Sequence, residues 1–98
     1  MAAQPVSQET MAAFLVAHKR WSAADNVLSA SITFPSFLAA IEFVGELAEA
    51  AEDLAHHPRI TIDYKTVTLE LTTHDAGNVI TTLDTALAKR VERILDGE

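Results

Sequence analysis

An alternation of apolar and polar side chains runs through residues 28–34, and no other feature limits the fold of this chain as tightly. The side chains on one side of the segment are all apolar: Leu28, Ala30, Ile32 and Phe34. Those between them all carry hydroxyls: Ser29, Ser31 and Thr33. This pattern predicts a strand of an antiparallel sheet that buries one face and leaves the other in water. The buried face must then be covered by another layer of structure.

Two hairpins account for the extended segments. The first joins residues 21–24 to residues 27–34 through Asp25-Asn26, a favoured turn dipeptide. The second joins a strand that ends at Tyr64 to a strand that begins near Val67, through a tight connection around Lys65, and it ends near Thr73-His74. Tyr64 is predicted to be a packing residue.

The first and last helices begin at recognisable caps. Ser7 can cap a helix over residues 7–18. Thr81 followed three residues later by Asp84 resembles a capping box, which predicts the start of a last helix. An acid at the third helical position stabilises the amino terminus of a helix without any catalytic duty, so capping is the favoured interpretation of Asp84.

A long helix separates the two hairpins. Pro35 suits its first turn, and Pro58 predicts that it ends near His56-His57. Its buried side is predicted from residues at helical spacing: Phe37, Ile41, Val44, Ala48, Ala51 and Ala55. The acidic residues of its other side predict a solvated face: Glu42, Glu46, Glu49 and Asp53.

The elements follow the order α-β-β-α-β-β-α, which predicts an α+β fold. We expect a two-layer sandwich in which a four-stranded antiparallel sheet carries all three helices on one face. Ninety-eight residues support a single domain, 1–98, in which residues 1–6 are expected to be flexible.

Composition excludes several classes of function. The chain has no cysteine, which excludes disulfides and thiolate metal sites, and its net charge of −7 argues against binding to nucleic-acid phosphate. The amino-terminal residues lack the features of a signal peptide, and no apolar run is long enough to span a bilayer. We therefore expect a soluble cytoplasmic protein with no membrane partner, whose partners are neutral small molecules or proteins.

A self-association surface is also predicted. Apolar residues make up 49% of the chain, slightly more than solubility requires. A four-stranded sheet has two edges, and the strand at 27–34 lacks the Lys or Pro that would block pairing with another copy. We take this strand as the candidate edge and expect a homodimer or homotetramer.

Three of the four histidines lie at the ends of predicted elements. His56 and His57 end the long helix, and His74 ends the last strand. A single histidine in such a place is more often an exposed or capping residue. Because a hairpin returns the chain to the end where it began, however, the three rings could converge. Histidine exchanges protons near neutral pH, so two imidazoles facing one ligand could serve as an acid and a base.

A zinc site built from three histidines is the rival interpretation. Adjacent residues such as His56 and His57 rarely aim at one point, and the chain has no HExxH-type spacing. Acid/base chemistry without a metal is therefore favoured.

The stretch around these histidines resembles the signature of the pterin-4a-carbinolamine dehydratases. It comprises residues 52–58 (EDLAHHP), Tyr64, residues 72–77 (TTHDAG) and Asp84. Trp21 and the segment 34–37 (FPSF) also resemble the family, so the resemblance covers nearly the whole chain after Ser7. The chain departs from the family pattern in a longer 78–83 loop and in an alanine, at position 55, where some members carry an acid.

The resemblance implies the sandwich predicted above and an active site with His56, His57 and His74 as catalytic residues. It also implies a set of substrate-binding residues: Glu52, Trp21, Thr72, Thr73 and Asp84. From the spacing alone, Glu52 would lie one helical turn before His56 and could orient that ring or simply pair with it on the surface. Trp21 is as readily a core residue as a platform for a pterin ring.

The implied reaction is the loss of water from a 4a-hydroxytetrahydropterin, giving a quinonoid dihydropterin in cofactor recycling. It calls for no metal, flavin or nucleotide. The alternative is a protein-interaction module, either a dimerisation cofactor of a transcription factor or an assembly chaperone, because relatives of the implied fold have both roles. Fold alone does not decide between them. The retained histidines favour the enzyme.

Overall fold

The computed structural model describes residues 3–97, and these contain the predicted elements in the predicted order. The helices are α1 (Gln8–Ala17), α2 (Phe37–Leu54) and α3 (Thr82–Leu95), and the strands are β1 (Ser22–Ala24), β2 (Val27–Thr33), β3 (Arg59–Asp63) and β4 (Thr66–Leu71). A short 3-10 turn, His74–Ala76, lies between β4 and α3. The α+β class is confirmed.

The four strands form one antiparallel sheet in the order β1-β2-β4-β3. β2 pairs with β1 on one side and with β4 on the other, where the register runs from Leu28 opposite Leu71 to Thr33 opposite Thr66. The expectation that strand 27–34 is a free edge is therefore wrong, and the edges belong to β1 and β3. Alternation specifies which face of a strand is buried, but it carries no information about which strand lies beside it.

One apolar core joins the sheet to the helices. Its strand residues are the inward side chains of β2 and β4: Leu28, Ala30, Ile32, Val67, Leu69 and Leu71. Its largest helical residues come from all three helices: Phe14, Phe43, Leu47, Leu87 and Val91. The helices therefore cover the same face, as predicted. The opposite face carries paired hydroxyls, such as Ser31 with Thr68 at 2.9 Å.

α2 buries only part of the predicted stripe, since Ala51 is buried and Val44 packs against the core as expected. Its core residues are Ala40, Phe43, Leu47, Ala50 and Ala51, whereas Phe37, Ile41 and Ala48 of the predicted stripe are exposed. Apolar residues at helical spacing occur on both sides of this helix, so the pattern fits two phases and the sequence does not choose between them.

The start of α2 also differs from the prediction. Ser36 is the N-cap, and its hydroxyl accepts a hydrogen bond from the Ala39 N–H at 3.1 Å. Pro35 therefore precedes the cap and does not lie in the first turn. Serine is among the strongest capping residues, which explains why the helix begins one residue after it.

The two hairpins turn through left-handed residues. Asp25 and Asn26 both have positive φ, at 54° and 63°, which matches the twist of the strands they join. In the second hairpin Tyr64 has φ 55° and is 65% exposed. The expectation that Tyr64 packs against the core is wrong, because the turn directs it outward, where Lys65 Nζ lies 5.6 Å from its ring centroid.

The segment before α1 is paired with the start of α3. The Val6 N–H donates to the Ile80 carbonyl at 3.1 Å, and the Thr82 N–H donates to the Gln4 carbonyl at 2.9 Å. Met1 and Ala2 lie outside the described residues, so the expectation of a flexible 1–6 segment stays a prediction for them. Within residues 3–97, no helix has the length and apolar character needed to cross a bilayer.

Candidate active site

A cleft of about 470 Å³ opens where the end of α2, the end of β4 and the start of α3 meet. His56, His57 and His74 all line it, together with Thr72 and Thr73. The structure therefore brings the three predicted histidines together. The volume lies within the range of small-molecule sites.

A left-handed residue ends α2 directly before the two adjacent histidines. Ala55 has φ 50° and ψ 41°, and the His56 N–H bonds back to the Ala51 carbonyl at 3.0 Å. This arrangement ends the helix at Leu54, slightly earlier than predicted. The two adjacent side chains differ in exposure: that of His56 is 11% exposed, whereas that of His57 is 66% exposed.

His56 is held by the buried carboxylate of Asp84. Its Nε2 lies 2.5 Å from Asp84 Oδ1, and Asp84 is fully buried. An ionised carboxylate only accepts hydrogen bonds, so the His56 Nε2 carries the proton and Nδ1 is left for a ligand. Asp84 also completes the capping box with Thr81, as predicted. Asp84 therefore both caps α3 and contacts a histidine of the cleft.

His57 pairs with Glu52 at the rim of the cleft. The His57 Nε2 bonds to Glu52 Oε2, and both side chains are largely exposed. The expectation that Glu52 orients His56 is wrong, because Glu52 bonds to His57 whereas His56 bonds to Asp84.

His74 begins the 3-10 turn and is oriented by Asn78. Its Nδ1 lies 2.6 Å from Asn78 Oδ1. An amide oxygen only accepts, so Nδ1 carries the proton and Nε2 is left for a ligand. Asn78 reaches this position because the chain turns through positive φ at Gly77 (87°) and Asn78 (61°). Both residue types tolerate that conformation.

Comparison with known families decides the membership of the chain. The family model described as pterin 4 alpha carbinolamine dehydratase matches residues 4–94, which include every residue of the cleft except Ala3. The chain belongs to the pterin-4-alpha-carbinolamine dehydratase family. The resemblance noted in the sequence is confirmed.

Bacterial relatives of the dehydratase family match most of the chain. A protein of Mycobacterium sp. (strain JLS) is 47% identical over 76 residues, which are 78% of this chain and 80% of the relative. A protein of Streptomyces avermitilis is 37% identical over 97 residues, 99% of this chain and 96% of the relative. Both carry provisional names as pterin-4-alpha-carbinolamine dehydratases.

Two solved structures share the fold of this dehydratase-family chain. The crystal structure of a transcriptional coactivator/pterin dehydratase from Brucella melitensis has a TM-score of 0.86 at 30% identity and covers 93% of this chain and 98% of its own. A pterin dehydratase-like protein, described as a RuBisCO assembly factor in the alpha-carboxysome, has a TM-score of 0.59 at 24% identity and covers 74% of this chain and 83% of its own. The second likeness concerns the fold alone.

Two predicted substrate-binding residues have other contacts. Trp21 lies in the core and is 4% exposed, and its indole N–H lies 3.3 Å from Glu92. Within residues 3–97, Trp21 is not among the residues that line the cleft. Thr72 lines the cleft, and its hydroxyl donates to the Asn26 carbonyl at 2.8 Å.

Sequence reasoning missed two residues that support the site. Asn78 was read as part of a loop, although a Gly-Asn pair signals a left-handed turn that could bring an amide back towards His74. Thr81 was read only as a helix cap, yet its hydroxyl lies 2.7 Å from that of Thr73. No pattern in the sequence indicates that second contact.

The described residues do not form a metal cage. Within residues 3–97, no three or more His, Asp or Glu side chains are grouped so that they could hold a metal ion. His56, His57 and His74 instead each bond to a separate polar side chain of the protein.

Proposed function

We propose that the chain is a 4a-hydroxytetrahydrobiopterin dehydratase, a hydro-lyase that returns a 4a-hydroxytetrahydropterin to the quinonoid dihydropterin during recycling of a tetrahydrobiopterin-type cofactor. His56 and His74 form the proton-transfer pair, and His57 binds or polarises the pterin. The observation that carries this proposal is one cleft lined by three imidazoles, each oriented by a polar partner. Membership of the dehydratase family supports the substrate class.

The reaction needs one proton delivered and one removed. The C4a–O bond breaks as an acid protonates the departing hydroxyl, which leaves as water. A base takes the N5 proton, and the N–H electron pair becomes the new N5=C4a double bond. The acid's proton leaves in the water molecule and the base keeps the N5 proton, so the two groups together neither gain nor lose a proton and no oxidant or reductant is consumed. Positioned imidazoles suit both transfers.

The hydrogen bonds leave one nitrogen of each ring for these transfers. Asp84 engages Nε2 of His56, which leaves its Nδ1, and Asn78 engages Nδ1 of His74, which leaves its Nε2. Each ring is thus held in a single tautomer, which supports a role in which a ring must meet a ligand in a fixed orientation.

The experiment is a dehydration assay with the purified chain and a 4a-hydroxytetrahydropterin, followed by the absorbance of the product. We expect a rate well above that of buffer, unchanged by a chelator because imidazole acid/base transfer needs no ion. A folded chain that does not exceed the buffer rate would overturn the proposal.

A second candidate is a protein-interaction module, either a dimerisation cofactor of a transcription factor or an assembly chaperone. The Brucella melitensis protein favours this candidate, since it is called a transcriptional coactivator as well as a pterin dehydratase. An inactive, folded chain would favour this role, whereas activity that depends on His56 and His74 would favour the enzyme.

We propose in addition that the chain forms a homodimer or homotetramer. Three large apolar side chains at the start of α2 support this: Phe37, Leu38 and Ile41 are 51%, 65% and 38% exposed. Ile41 lies three residues after Leu38 and four after Phe37, so the three side chains are neighbours on the helix surface. Clustered exposed apolar side chains mark association surfaces.

A further inference from the structure

The buried polar residues of the described chain form one cluster behind the cleft. They are Thr73, Thr81 and Asp84, each 5% exposed or less. The Thr73 hydroxyl lies 2.7 Å from that of Thr81 and 2.8 Å from Asp84 Oδ2, and the Thr81 N–H donates to the same Oδ2 at 2.8 Å. Burial of such groups is costly unless every one is hydrogen-bonded.

The hydrogens of this cluster can be placed by elimination. The Leu83 N–H can only donate, so Thr81 Oγ1 is its acceptor at 3.2 Å. An ionised Asp84 can only accept, so the single hydroxyl proton of Thr73 points to Asp84. The proton between the two hydroxyls must therefore come from Thr81. The chain of bonds runs in one direction, from Thr81 to Thr73 to Asp84.

The direction of these hydrogen bonds determines which oxygen of Asp84 is available to the His56 ring. Asp84 Oδ2 receives two hydrogen bonds, from the Thr73 hydroxyl and the Thr81 backbone, and Oδ1 lies 2.5 Å from the His56 Nε2. The Thr73 hydroxyl, the Thr81 N–H and the His56 ring thus all contact the two oxygens of this carboxylate. A charged Asp84 in turn accepts the His56 Nε2–H.

We propose that Thr73 and Thr81 are positioning residues that act through Asp84 to keep His56 in its Nε2–H tautomer, with Nδ1 as the atom that exchanges a proton with the ligand. The effect on turnover rests on the proposed function, but the effect on the tautomer does not. This role replaces the substrate-binding role expected of Thr73, because its hydroxyl proton is used within the protein.

The first test is the wild-type protein. Long-range ¹H–¹⁵N NMR spectra distinguish the two tautomers of a neutral histidine ring, and His56→Gln assigns the resonances. We expect the Nε2–H form for His56. A predominant Nδ1–H form would overturn the proposal without any variant of the threonines.

The second test removes one hydroxyl at nearly constant volume. In Thr73→Val, the Nδ1–H tautomer of His56 should become detectable and kcat should fall by about tenfold, the lower end of what an outer contact contributes, with KM little changed. Thr73→Ser should restore both wild-type values. Thr81→Val should resemble Thr73→Val, whereas Thr81→Ser should resemble the wild type.

The matched control is Thr85→Val, whose hydroxyl bonds to the Thr82 carbonyl on the same helix and not to Asp84. It should change neither the tautomer nor kcat. If Thr73→Val keeps the wild-type tautomer and kcat, the positioning role is wrong while the enzyme reading stands. If the wild type is inactive but Thr73→Val changes the tautomer, the proposed function is wrong while the positioning role stands.

Discussion

The carboxylate of Asp84 joins the start of α3 to the end of α2, because one oxygen accepts from the Thr81 N–H at 2.8 Å and the other lies 2.5 Å from His56 Nε2. A residue that caps one helix thus orients a ring carried by another. Asp84 thus links the cap of α3 to the orientation of His56, and its substitution should affect both the stability of the fold and the proposed proton transfer.

Asp84→Asn should lower both stability and turnover. The amide keeps the shape but loses the charge and one acceptor, so we expect a loss of about 1–2 kcal/mol in the free energy of unfolding. Turnover should fall by about 10- to 100-fold because His56 loses its carboxylate. Thermal melts and the dehydration assay measure the two effects. Asp53→Asn, which alters an exposed carboxylate paired with Arg90, is the control and should change neither.

His56→Ala and His74→Ala should each reduce turnover by about two to four orders of magnitude, the usual contribution of a positioned acid or base. The far-ultraviolet circular dichroism should not change. His18→Ala is the matched control, because His18 lies at the end of α1 beside Glu92 and does not line the cleft within the described chain. If His56→Ala and His74→Ala keep wild-type turnover as His18→Ala does, the imidazole mechanism is wrong.

The fold was predictable from the sequence because its signals are local. The alternation in residues 28–34, the turn at Asp25-Asn26 and the cap at Thr81 each specify a nearby conformation. The neighbours of β2 were not predictable, since the order β1-β2-β4-β3 depends on a non-local pairing with β4. The buried side of α2 was not predictable either, because apolar residues lie on both of its sides.

The candidate site was predictable only in part. The three histidines converge because a hairpin of similar strand lengths returns the chain to where α2 ended, and that argument needs only the order of elements. The partner of each ring depended on details of backbone geometry. Glu52 bonds to His57, and the left-handed Gly77-Asn78 pair brings an amide to His74.

Asn78→Gly should lower turnover without unfolding the protein. Glycine accepts the φ of 61° at this position but removes the acceptor for His74 Nδ1, so the ring loses its fixed tautomer. We expect kcat to fall by about tenfold, as for other contacts that orient an active group. Asn78→Asp keeps an acceptor oxygen and should retain more activity than Asn78→Gly. Equal losses in the two variants would contradict this role.

Light scattering should give the chain a mass of two or four subunits. Leu38→Glu or Ile41→Glu should reduce it, because a charge placed in an apolar interface loses its hydration. Val16→Glu is the control, since Val16 is an apolar residue that is 72% exposed on a different helix, α1. A single-subunit mass for the wild type would rule out the oligomer, and an unchanged mass in both α2 variants would move the interface elsewhere.

Ala55→Gly should stabilise the protein. Ala55 adopts the left-handed conformation at φ 50° and ψ 41°, where a Cβ atom crowds the following carbonyl at a cost of about 1–2 kcal/mol. Glycine avoids that crowding but gains freedom in the unfolded chain, so the net gain in unfolding free energy should be about 1 kcal/mol. The control is Ala48→Gly in the exposed interior of α2, where the helical conformation suits alanine and the same change should cost about 1 kcal/mol. Chemical denaturation of the two variants measures the sign of each change in the free energy of unfolding. If Ala55→Gly destabilises the protein as much as Ala48→Gly does, the end of α2 is not left-handed at Ala55.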